Sequence, residues 1–496
     1  VWVRGSLKRS RSFLKTKRGG EPNPLSKESS FNPSLGIPKE DTIAAISTPF
    51  GESGIGIVRT SGSLSELIAQ KLFKPKKEQN HFISHQFHYG EIIDPNTDHP
   101  VDEVLIVLMK SPKTYTREDI LEIHCHGGYL ILQKVLELVL KQGARLAQPG
   151  EFTKRAFING RIDLTQAEAV IDLIKAKTIA SLEIAGQQLR GVLYREMTLI
   201  KERLIEHLAL IEAHIDFPEE EIEPIASKEL KKDLEQMDQK IGQWISSYEE
   251  GRVFREGVSC AITGKTNVGK SSLLNVLLKQ DKAIVTPIPG TTRDVIEEVL
   301  NIHGIPVRLM DTAGLRRAKD SIEQEGVRRT KERVADADLV LLMLDGSRKL
   351  DEDDGEISHE IEGKKKVVII NKNDLPLRIS LEEVKNSFPE DPLVSISALK
   401  NEGIDDLKQA IYTSLIHREV RVSPEHLVVA NIRHKAALTQ VRENLSNASK
   451  GLEEGTSLEF IAFEIRSALD ALGEMVGETA TEEVLSRIFE QFCIGK

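Results

Sequence analysis

The most informative segment of the sequence has the form G-x-x-x-x-G-K-S and reads Gly264-Lys265-Thr266-Asn267-Val268-Gly269-Lys270-Ser271. In such a loop, backbone N–H groups surround nucleotide phosphates at the N-terminus of a helix. The apolar segment 258–262 before it is typical of a short buried strand, and the apolar segment 272–278 after it is typical of a helix. We therefore predict a P-loop domain in which Lys270 reaches the β- and γ-phosphates and Ser271 binds Mg²⁺.

A switch segment and a hairpin follow the P-loop in the order that a P-loop nucleotide hydrolase requires. Residues 289–294, P-G-T-T-R-D, predict a loop that orders around the γ-phosphate, with Thr292 completing the Mg²⁺ coordination. Strand-like segments on either side of His303-Gly304 predict a hairpin that ends at Asp311-Thr312-Ala313-Gly314. The aspartate of this D-x-x-G motif is then the Walker-B-type acid, and its last amide contacts the γ-phosphate.

Base preference is encoded further along the chain. The apolar strand 367–370 delivers Asn371-Lys372-Asn373-Asp374. The Asp374 carboxylate accepts two hydrogen bonds, from guanine N1–H and the exocyclic amine, whereas adenine offers no such pair of donors. The S-I-S-A-L segment 395–399 supplies a backbone N–H, at Ala398, for guanine O6. Four motifs in this order predict a Ras-like α/β GTPase domain.

The remaining predicted GTP contacts come from the P-loop, the two switch segments and the two base-recognition motifs. They are Asn267, Val268, Gly269, Ser272, Thr286, Pro287, Ile288, Pro289, Gly290, Thr291, Asp311, Thr312, Ala313, Gly314, Asn371, Lys372, Ser397 and Leu399.

Two positions depart from the Ras-like pattern, in which a glutamine directly after D-x-x-G orients the attacking water. Leu315 occupies that position and cannot hydrogen-bond water, so a downstream acid, Asp320, Glu323 or Glu325, is expected to act instead. Asn267 in the P-loop has two open interpretations. Its amide oxygen coordinates a monovalent cation beside the phosphates, or it only hydrogen-bonds the switch backbone.

The chain has 496 residues, which suggests about three domains. Its hydrophobic content of 40% is ordinary for a globular protein, and we expect no membrane association because no long apolar run is present. Three distant cysteines, Cys125, Cys260 and Cys493, favour a reducing compartment over a disulfide framework. The net charge of −10 gives no global footprint for nucleic acid. Basic residues within 316–333 form a candidate RNA-binding patch or merely solvated helix faces.

Residues 1–40 differ from the rest and are predicted to be disordered. Seven Lys or Arg and no acid occur among the first twenty residues. This composition fits an organellar transit peptide, but residue 1 is Val, so we favour an upstream extension from a misplaced start. The expected location is therefore cytoplasmic, with a mitochondrial location as the alternative.

Three further regions complete the predicted multidomain architecture. Strand-like segments with two helices predict an α+β domain over 41–159. Helical periodicity dominates 160–257, where Thr165-Gln166-Ala167-Glu168 reads as a capping box, and returns over 417–496. Since the ends of a compact α/β domain usually lie close together, we predict that the G domain, 258–416, is inserted into one helical domain made of both flanks.

The chain resembles the MnmE (TrmE) family of tRNA-modification GTPases over roughly residues 41–496. The resemblance rests on G-I-G-I-V-R at 54–59, L-E-I-H-C-H-G-G at 121–128, G-R-I-D-L-T-Q-A-E at 160–168 and F-C-I-G-K at 492–496, together with the GTPase motifs. Four of these marks lie outside the GTPase region, so the resemblance is more specific than a generic G domain.

The resemblance implies an N-terminal domain that forms a homodimer and binds 5-formyl- or 5,10-methylene-tetrahydrofolate. By motif match, the folate contacts would be Arg59, Glu122, Arg161 and Lys496. It also implies an FAD-dependent tRNA modification partner of the MnmG (GidA) type in a hetero-oligomer. Together the two proteins would add a carboxymethylaminomethyl-type group to the 5-position of the wobble uridine in certain tRNAs.

The resemblance further implies GTP hydrolysis that depends on potassium and on pairing of two G domains. Asn267, Thr286, Ile288 and Thr291 would hold K⁺, and Glu323 would be the acid that activates water. This assignment fills the gap left by Leu315.

Some features remain open to other interpretations. His124, Cys125 and His126 suggest a metal site, but alternating residues of a strand point to opposite faces and no fourth ligand is evident. Cys493 matches the family's C-terminal cysteine and is a candidate chemical thiol, or it has no chemical role. A ribosome-assembly GTPase acting as a binding switch is the alternative function, and a folate-binding protein with a vestigial GTPase is a third.

Overall fold

The computed structural model describes residues 41–49, 51–77, 81–217, 227–281, 299–310, 336–416 and 427–496. Within them the chain builds two separate β-sheets and a set of helices, each with its own apolar core. No helix in these ranges is long and apolar enough to cross a membrane.

The first sheet has seven strands in the order β3-β4-β5-β6-β2-β1-β7. They are β1 Ile43–Ile46, β2 Ser53–Ser61, β3 Phe73–Pro75, β4 Phe87–Asp94, β5 His99–Met109, β6 Ile120–Gly127 and β7 Arg145–Leu146. Helices Ser65–Leu72 and Tyr129–Lys141 pack on one face, where apolar side chains alternate with the polar ones of the other face. The predicted mixed strand and helix content of this region is confirmed.

The second sheet has six strands in the order β13-β12-β11-β8-β10-β9. They are β8 Val258–Thr263, β9 Val299–Ile302, β10 Ile305–Met310, β11 Leu339–Asp345, β12 Lys366–Asn371 and β13 Leu393–Ser395. Only β9 runs antiparallel, as the partner of β10 in the predicted hairpin around His303-Gly304. Helices Lys270–Asp281, Glu352–Glu360, Leu381–Ser387 and Ile404–Leu415 complete the doubly wound domain.

The remaining helices come from both flanks of that domain. They are Glu151–Ile158, Leu164–Lys175, Ile179–Leu189, Val192–Asp216, Ser227–Ser246, Tyr248–Glu256, Ile432–Glu454, Leu458–Val476 and Glu482–Phe489. One apolar core joins side chains of Val192–Asp216 and Ser227–Ser246 to those of Ile432–Glu454 and Leu458–Val476. The two flanks therefore form one helical body, and the P-loop domain is inserted between them, as the sequence predicts.

A buried ionic cluster also joins the two flanks. Glu168 is 5% exposed and accepts hydrogen bonds from Arg433 at 2.9 and 2.8 Å. His434 and Asn431 approach the same carboxylate at 2.7 and 3.1 Å. Burial alone raises the pKa of Glu168, but the neighbouring His434 and Arg433 outweigh it and lower the pKa to about 2.

The helix boundaries correct two of the predictions made from the sequence. The capping box belongs to Asp163, whose side chain accepts from the Thr165 and Gln166 amides, so Thr165 is not the cap. A new helix begins after Thr178, which caps it, although helical periodicity runs through this point. Gly186 lies inside that helix, whereas Gly191, with a φ of +70°, does end it.

Candidate functional site

The P-loop joins the end of β8 to the helix Lys270–Asp281, as predicted. Gly264, Asn267 and Gly269 have positive φ values of 140°, 63° and 107°. A Cβ on Gly264 would lie 2.3 Å from the Met343 carbonyl oxygen, so this position requires glycine. The loop therefore makes a tight turn, and the helix Lys270–Asp281 begins close to the end of β8.

Lys270 folds back over the loop that precedes it. Its Nζ donates to the carbonyl oxygens of Gly264 and Lys265, both at 2.6 Å. Burial lowers the pKa of Lys270, since little solvent remains around the ammonium group. The ammonium is therefore held at the P-loop, where an anionic phosphate would be a better partner than neutral carbonyls.

Asn371 connects the P-loop to the base-recognition segments. It is 3% exposed, and its Nδ2 donates to the Val268 carbonyl at 2.7 Å. Its Oδ1 accepts from the Ala398 amide at 3.0 Å. Three motifs that are distant in sequence are thus locked together by one side chain, which fixes the position of the predicted guanine site relative to the phosphates.

Asp374 and Ser397 lie together at the same edge. The Ser397 hydroxyl donates to Asp374 Oδ1 at 2.6 Å and lowers the pKa of that carboxyl, so the group is ionised at neutral pH. Leu399 is 84% exposed beside them. An ionised carboxylate next to the Ala398 segment is what the recognition of guanine N1–H and amine requires.

Asp345 belongs to this site, and the sequence reading did not identify it. It ends β11, and its Oδ2 accepts from Lys372 Nζ at 2.6 Å. Burial opposes ionisation, but the bonds from Lys372 and Ser347 outweigh it and lower the pKa of Asp345. The ion pair orients Lys372, whose backbone adopts a φ of +69°. The sequence did contain a signal for this residue, namely an acidic residue directly at the end of an apolar strand.

Other predicted site residues lie outside the described ranges. They are Thr286, Pro287, Ile288, Pro289, Gly290, Thr291, Thr292, Asp311, Thr312, Ala313, Gly314 and Glu323, and with them Leu315 and the basic residues within 316–333.

A second cluster forms where the C-terminus of the chain meets the first sheet. Arg59 on β2 pairs with Glu122 on β6 at 2.8 Å and donates to the Gly495 carbonyl at 3.3 Å. The bond from His124 and the charge of Arg59 lower the pKa of Glu122 against the opposing effect of burial. Burial, and then the Arg59 charge, lower the pKa of Lys496. Three of the four predicted folate contacts are therefore brought together.

The fourth predicted contact, Arg161, lies at the margin of this cluster. Its guanidinium carbon stands 4.7 Å from the centroid of the Tyr115 ring. Tyr115 packs against the apolar cluster of Phe152, and the Arg59 guanidinium carbon lies 5.8 Å from the centroid of the Phe152 ring.

The residues around His124 do not form a metal site. His124 bonds Glu122 at 3.3 Å and His126 bonds Asp102 at 2.7 Å, whereas Cys125 is buried on the other face, with a pKa raised by burial to about 12. No group of three or more His, Cys, Asp or Glu side chains with metal-binding geometry occurs in the described part of the chain. Cys493 is exposed and free.

The doubly wound sheet, the P-loop and the guanine-specific motifs at one sheet edge define a P-loop GTPase. Comparison with known proteins narrows this class. The family model "MnmE helical domain" matches residues 164–493, and the model "GTP-binding protein TrmE N-terminus" matches residues 42–161.

Full-length relatives agree with these models. The chain is 50% identical to the tRNA modification GTPase MnmE of Geobacter sulfurreducens over 92% of this chain and 99% of the relative. It is 48% identical to the protein of the same name from Thermoanaerobacter pseudethanolicus, with the same coverage. The chain therefore belongs to the MnmE family of tRNA modification GTPases.

Solved structures resemble parts of the chain. Era of Aquifex aeolicus bound to GDP.AlF4- is 32% identical over 38% of this chain and 66% of its own, with a TM-score of 0.26. The G domain of the T. maritima FeoB iron transporter is 28% identical over 32% of this chain and 98% of its own, with a TM-score of 0.25. The family assignment does not depend on scores this low.

Proposed function

We propose that this chain is a potassium-dependent GTPase that modifies the wobble uridine of certain tRNAs together with an FAD-dependent partner of the MnmG type. GTP hydrolysis would drive a conformational change, and the added group would be of the carboxymethylaminomethyl type at the 5-position. The observation that carries the GTPase part is the Asn371 bridge, which ties the P-loop to the Ala398 segment and so supports phosphate and guanine binding by one nucleotide.

The phosphate chemistry rests on residues at the start of the helix Lys270–Asp281. Backbone N–H groups of the P-loop and the Lys270 ammonium would bind the phosphates. Ser271 at the helix start, with Thr292, would hold Mg²⁺, which supplies charge stabilisation when bound. Ser271 is exposed and its hydroxyl makes no hydrogen bond to a described residue, so it fits this role.

Potassium would be held by Asn267 with Thr286, Ile288 and Thr291, and it would supply positive charge beside the phosphates. Asn267 can provide an oxygen ligand for K⁺, because its side chain is exposed in the loop and its amide group makes no hydrogen bond to a described residue. We expect GTP turnover in KCl and little in NaCl, since the smaller ion fits the cavity poorly. Equal turnover in both salts would remove the potassium assignment.

Glu323 would activate the attacking water, because Leu315 cannot. The Glu323→Ala variant is expected to bind GTP normally but to lose nearly all potassium-stimulated turnover. Retained turnover in this variant would shift the role to Asp320 or Glu325, and loss of GTP binding would show a structural role instead.

Folate binding would use the cluster of Arg59, Glu122 and Lys496, with Arg161 at its margin. The ionised Glu122 fits the paired N–H donors of a reduced pteridine, and the adjacent cations fit its carbonyl oxygen. A 5-formyl- or 5,10-methylene-tetrahydrofolate would supply a one-carbon unit there. Cys493 is a candidate thiol for this chemistry, since it is exposed and only a few residues from Lys496.

A homodimer through the open face of the first sheet is the proposed assembly. Phe87, Tyr89 and Leu105 are about half exposed on that face, and the Phe87 ring contacts His124 beside Glu122. Such a row of apolar side chains is typical of a protein interface. The Tyr89→Asp variant should therefore shift the mass measured by light scattering from dimer to monomer.

The tRNA reaction is the decisive part of the proposal. Nucleosides of tRNA from a strain that lacks this protein, measured by mass spectrometry, should lose the modified wobble uridine and regain it with the wild-type gene. Full modification without the protein would overturn the proposal. We also propose a cytoplasmic location, because Cys125, Cys260 and Cys493 are all free thiols.

A further inference from the structure

A path of side chains leads away from the Arg59–Glu122 pair along the surface of the first domain. Its next member is Tyr115, whose hydroxyl bonds Thr153 at 2.9 Å and whose ring packs with Phe152. Arg161 stacks on that ring at 4.7 Å. A stacked guanidinium keeps the N–H groups at its edge available for an anion.

Arg117 stands beside Arg161 at the end of this path. Its NH1 donates to the Asn159 carbonyl at 2.8 Å, and a Cβ on Gly160 would lie 3.4 Å from the same nitrogen. Both arginines are exposed. Arg117 is thus in contact with Asn159 and beside Gly160, the two residues that directly precede Arg161 in the chain.

Neither Arg117 nor Arg161 pairs with a carboxylate anywhere in the described ranges, although acids are close. Those acids are already used, because Arg155 holds Asp41 and Glu118 at 2.6 and 3.0 Å. Arg155 is 1% exposed, so this neighbouring network is structural. The two outer arginines therefore keep their charge for a ligand from solution.

The backbone of Arg117 supports a specific role. Its φ is +59°, a left-handed conformation that costs a residue with a side chain about 1 kcal/mol relative to glycine. The Ser111 hydroxyl holds it there by donating to the Arg117 carbonyl at 2.7 Å. Glycine would satisfy this turn without strain, so the fold itself does not require an arginine here.

The order along the path is carboxylate, aromatic ring and two guanidinium groups. A reduced folate presents the complementary order: a pteridine with paired N–H donors, an aminobenzoyl ring and a glutamate whose carboxylates are extended by γ-linked glutamates. We propose that Arg117 and Arg161 bind the carboxylates of this glutamate tail, so that the site selects polyglutamylated folates. This inference rests on the folate binding proposed above.

The test compares tetrahydrofolate monoglutamate and pentaglutamate by titration calorimetry on the full-length protein. Wild type should bind the pentaglutamate about tenfold more tightly, an advantage that falls with added salt. In Arg117→Gly the advantage should shrink to about twofold, because the pentaglutamate, which offers more carboxylates, loses more affinity than the monoglutamate. This variant relieves backbone strain, so misfolding would not explain its loss. Lys74→Ala, which removes an exposed cation at the far edge of the sheet, should keep the wild-type ratio.

Equal affinity of wild type for both folates, or an unchanged ratio in Arg117→Gly, would overturn the tail-binding role while leaving folate binding intact. Failure of wild type to bind either form would instead overturn the folate assignment and this inference with it. A loss of tRNA affinity in Arg117→Gly with an unchanged folate ratio would show that the two arginines bind a phosphate backbone, which would also overturn the proposal.

Discussion

Asp374 is the proposed base-recognition residue at the edge of the second sheet, because its ionised carboxylate offers only acceptors. In Asp374→Asn the amide presents one acceptor and one donor, which suits xanthine, with its carbonyl at C2, and opposes the amine of guanine. We expect GTP affinity to fall about a hundredfold and XTP affinity to rise. Competition binding with a fluorescent nucleotide measures both.

The control for this substitution is Lys385→Ala, which changes an exposed residue of the helix Leu381–Ser387 and should leave both affinities unchanged. A variant at Asp374 that still prefers GTP would show that the carboxylate does not contact the base.

Most of this nucleotide site could be predicted because its residues belong to short motifs with fixed spacing. Asn371, Asp374 and Ala398 act within a few residues of the strand that positions them. Asp345 could not be found in this way, because its partner Lys372 directly follows the neighbouring strand β12 and only the sheet order brings the two residues together. The same holds for the contact of Arg59 with Gly495.

Glu168 makes a testable contribution to stability. Its pKa falls from an ordinary 4.5 to about 2 on folding, so its stabilising effect is present above pH 4.5 and is lost as the pH falls towards 2. Glu168→Gln should lower the free energy of unfolding by about 3 kcal/mol at pH 7, since Arg433 loses its buried counter-charge. Urea denaturation followed by circular dichroism measures this difference, which should narrow below pH 4.5.

The matched control is Glu483→Gln, because Glu483 pairs with Arg487 at 2.8 Å but both side chains are about three-quarters exposed. Solvent screens such a pair, so its loss should change the free energy of unfolding by less than about 0.5 kcal/mol. Equal effects of the two substitutions would show that burial of the Glu168 cluster adds nothing.

The P-loop is the element with the least tolerance for change. Gly264→Ala would place a Cβ 2.3 Å from the Met343 carbonyl at a φ of +140°, so the loop must open and nucleotide binding should be lost. Gly355, inside the helix Glu352–Glu360, has no atom within 4 Å of its would-be Cβ. Gly355→Ala should therefore bind GTP normally and gain roughly 0.5–1 kcal/mol of helix stability. Calorimetric titration with GTP and thermal melting compare the two.

Helices and strands with regularly spaced apolar residues could be predicted from the sequence, whereas the boundaries between consecutive helices were harder to predict. The strands of the first sheet and the helix Tyr129–Lys141 follow their periodicity closely. The break at Thr178 has no glycine or proline, and it arises because the Thr178 hydroxyl bonds Gly304 of the G domain at 2.7 Å. The N-cap is Asp163 and not Thr165, because the Asp163 carboxylate accepts hydrogen bonds from two backbone amides, whereas the Thr165 side chain accepts none.

In the whole molecule, the C-terminal turn joins the end of the chain to the first sheet. Gly495 has a φ of +93°, and a Cβ there would lie 2.5 Å from the Ile46 carbonyl oxygen on β1. The helix Glu482–Phe489 packs on Glu151–Ile158 and Leu164–Lys175 through a shared apolar cluster. The first domain is therefore anchored to the helical body beside the proposed folate site.

The G domain is anchored to the same body by the turn of its hairpin. The Thr178 hydroxyl donates to the Gly304 carbonyl at 2.7 Å, whereas the Ser181 hydroxyl donates to the Phe254 carbonyl inside the helical body itself. Strand β10 leads from this turn directly to the D-x-x-G motif at 311–314. A rigid two-stranded hairpin thus has the helical body at one end and the expected γ-phosphate contact at the other, which is the arrangement that transmits a switch movement.

Cutting this connection should separate GTP hydrolysis from tRNA modification. The variant Thr178→Val removes the bond to Gly304, together with the cap of the helix Ile179–Leu189, but touches no nucleotide contact, so GTP turnover should stay within about twofold of wild type. Modified wobble uridine in tRNA, measured by mass spectrometry, should fall several-fold, because under the proposed function hydrolysis would no longer move the helical body. The control Thr198→Val removes a hydroxyl that bonds only Tyr194 of its own helix, at 2.9 Å, and should change neither quantity. If turnover and modification fall together in Thr178→Val, the contact with Gly304 supports the G domain itself. If neither falls, the hairpin does not couple the two bodies.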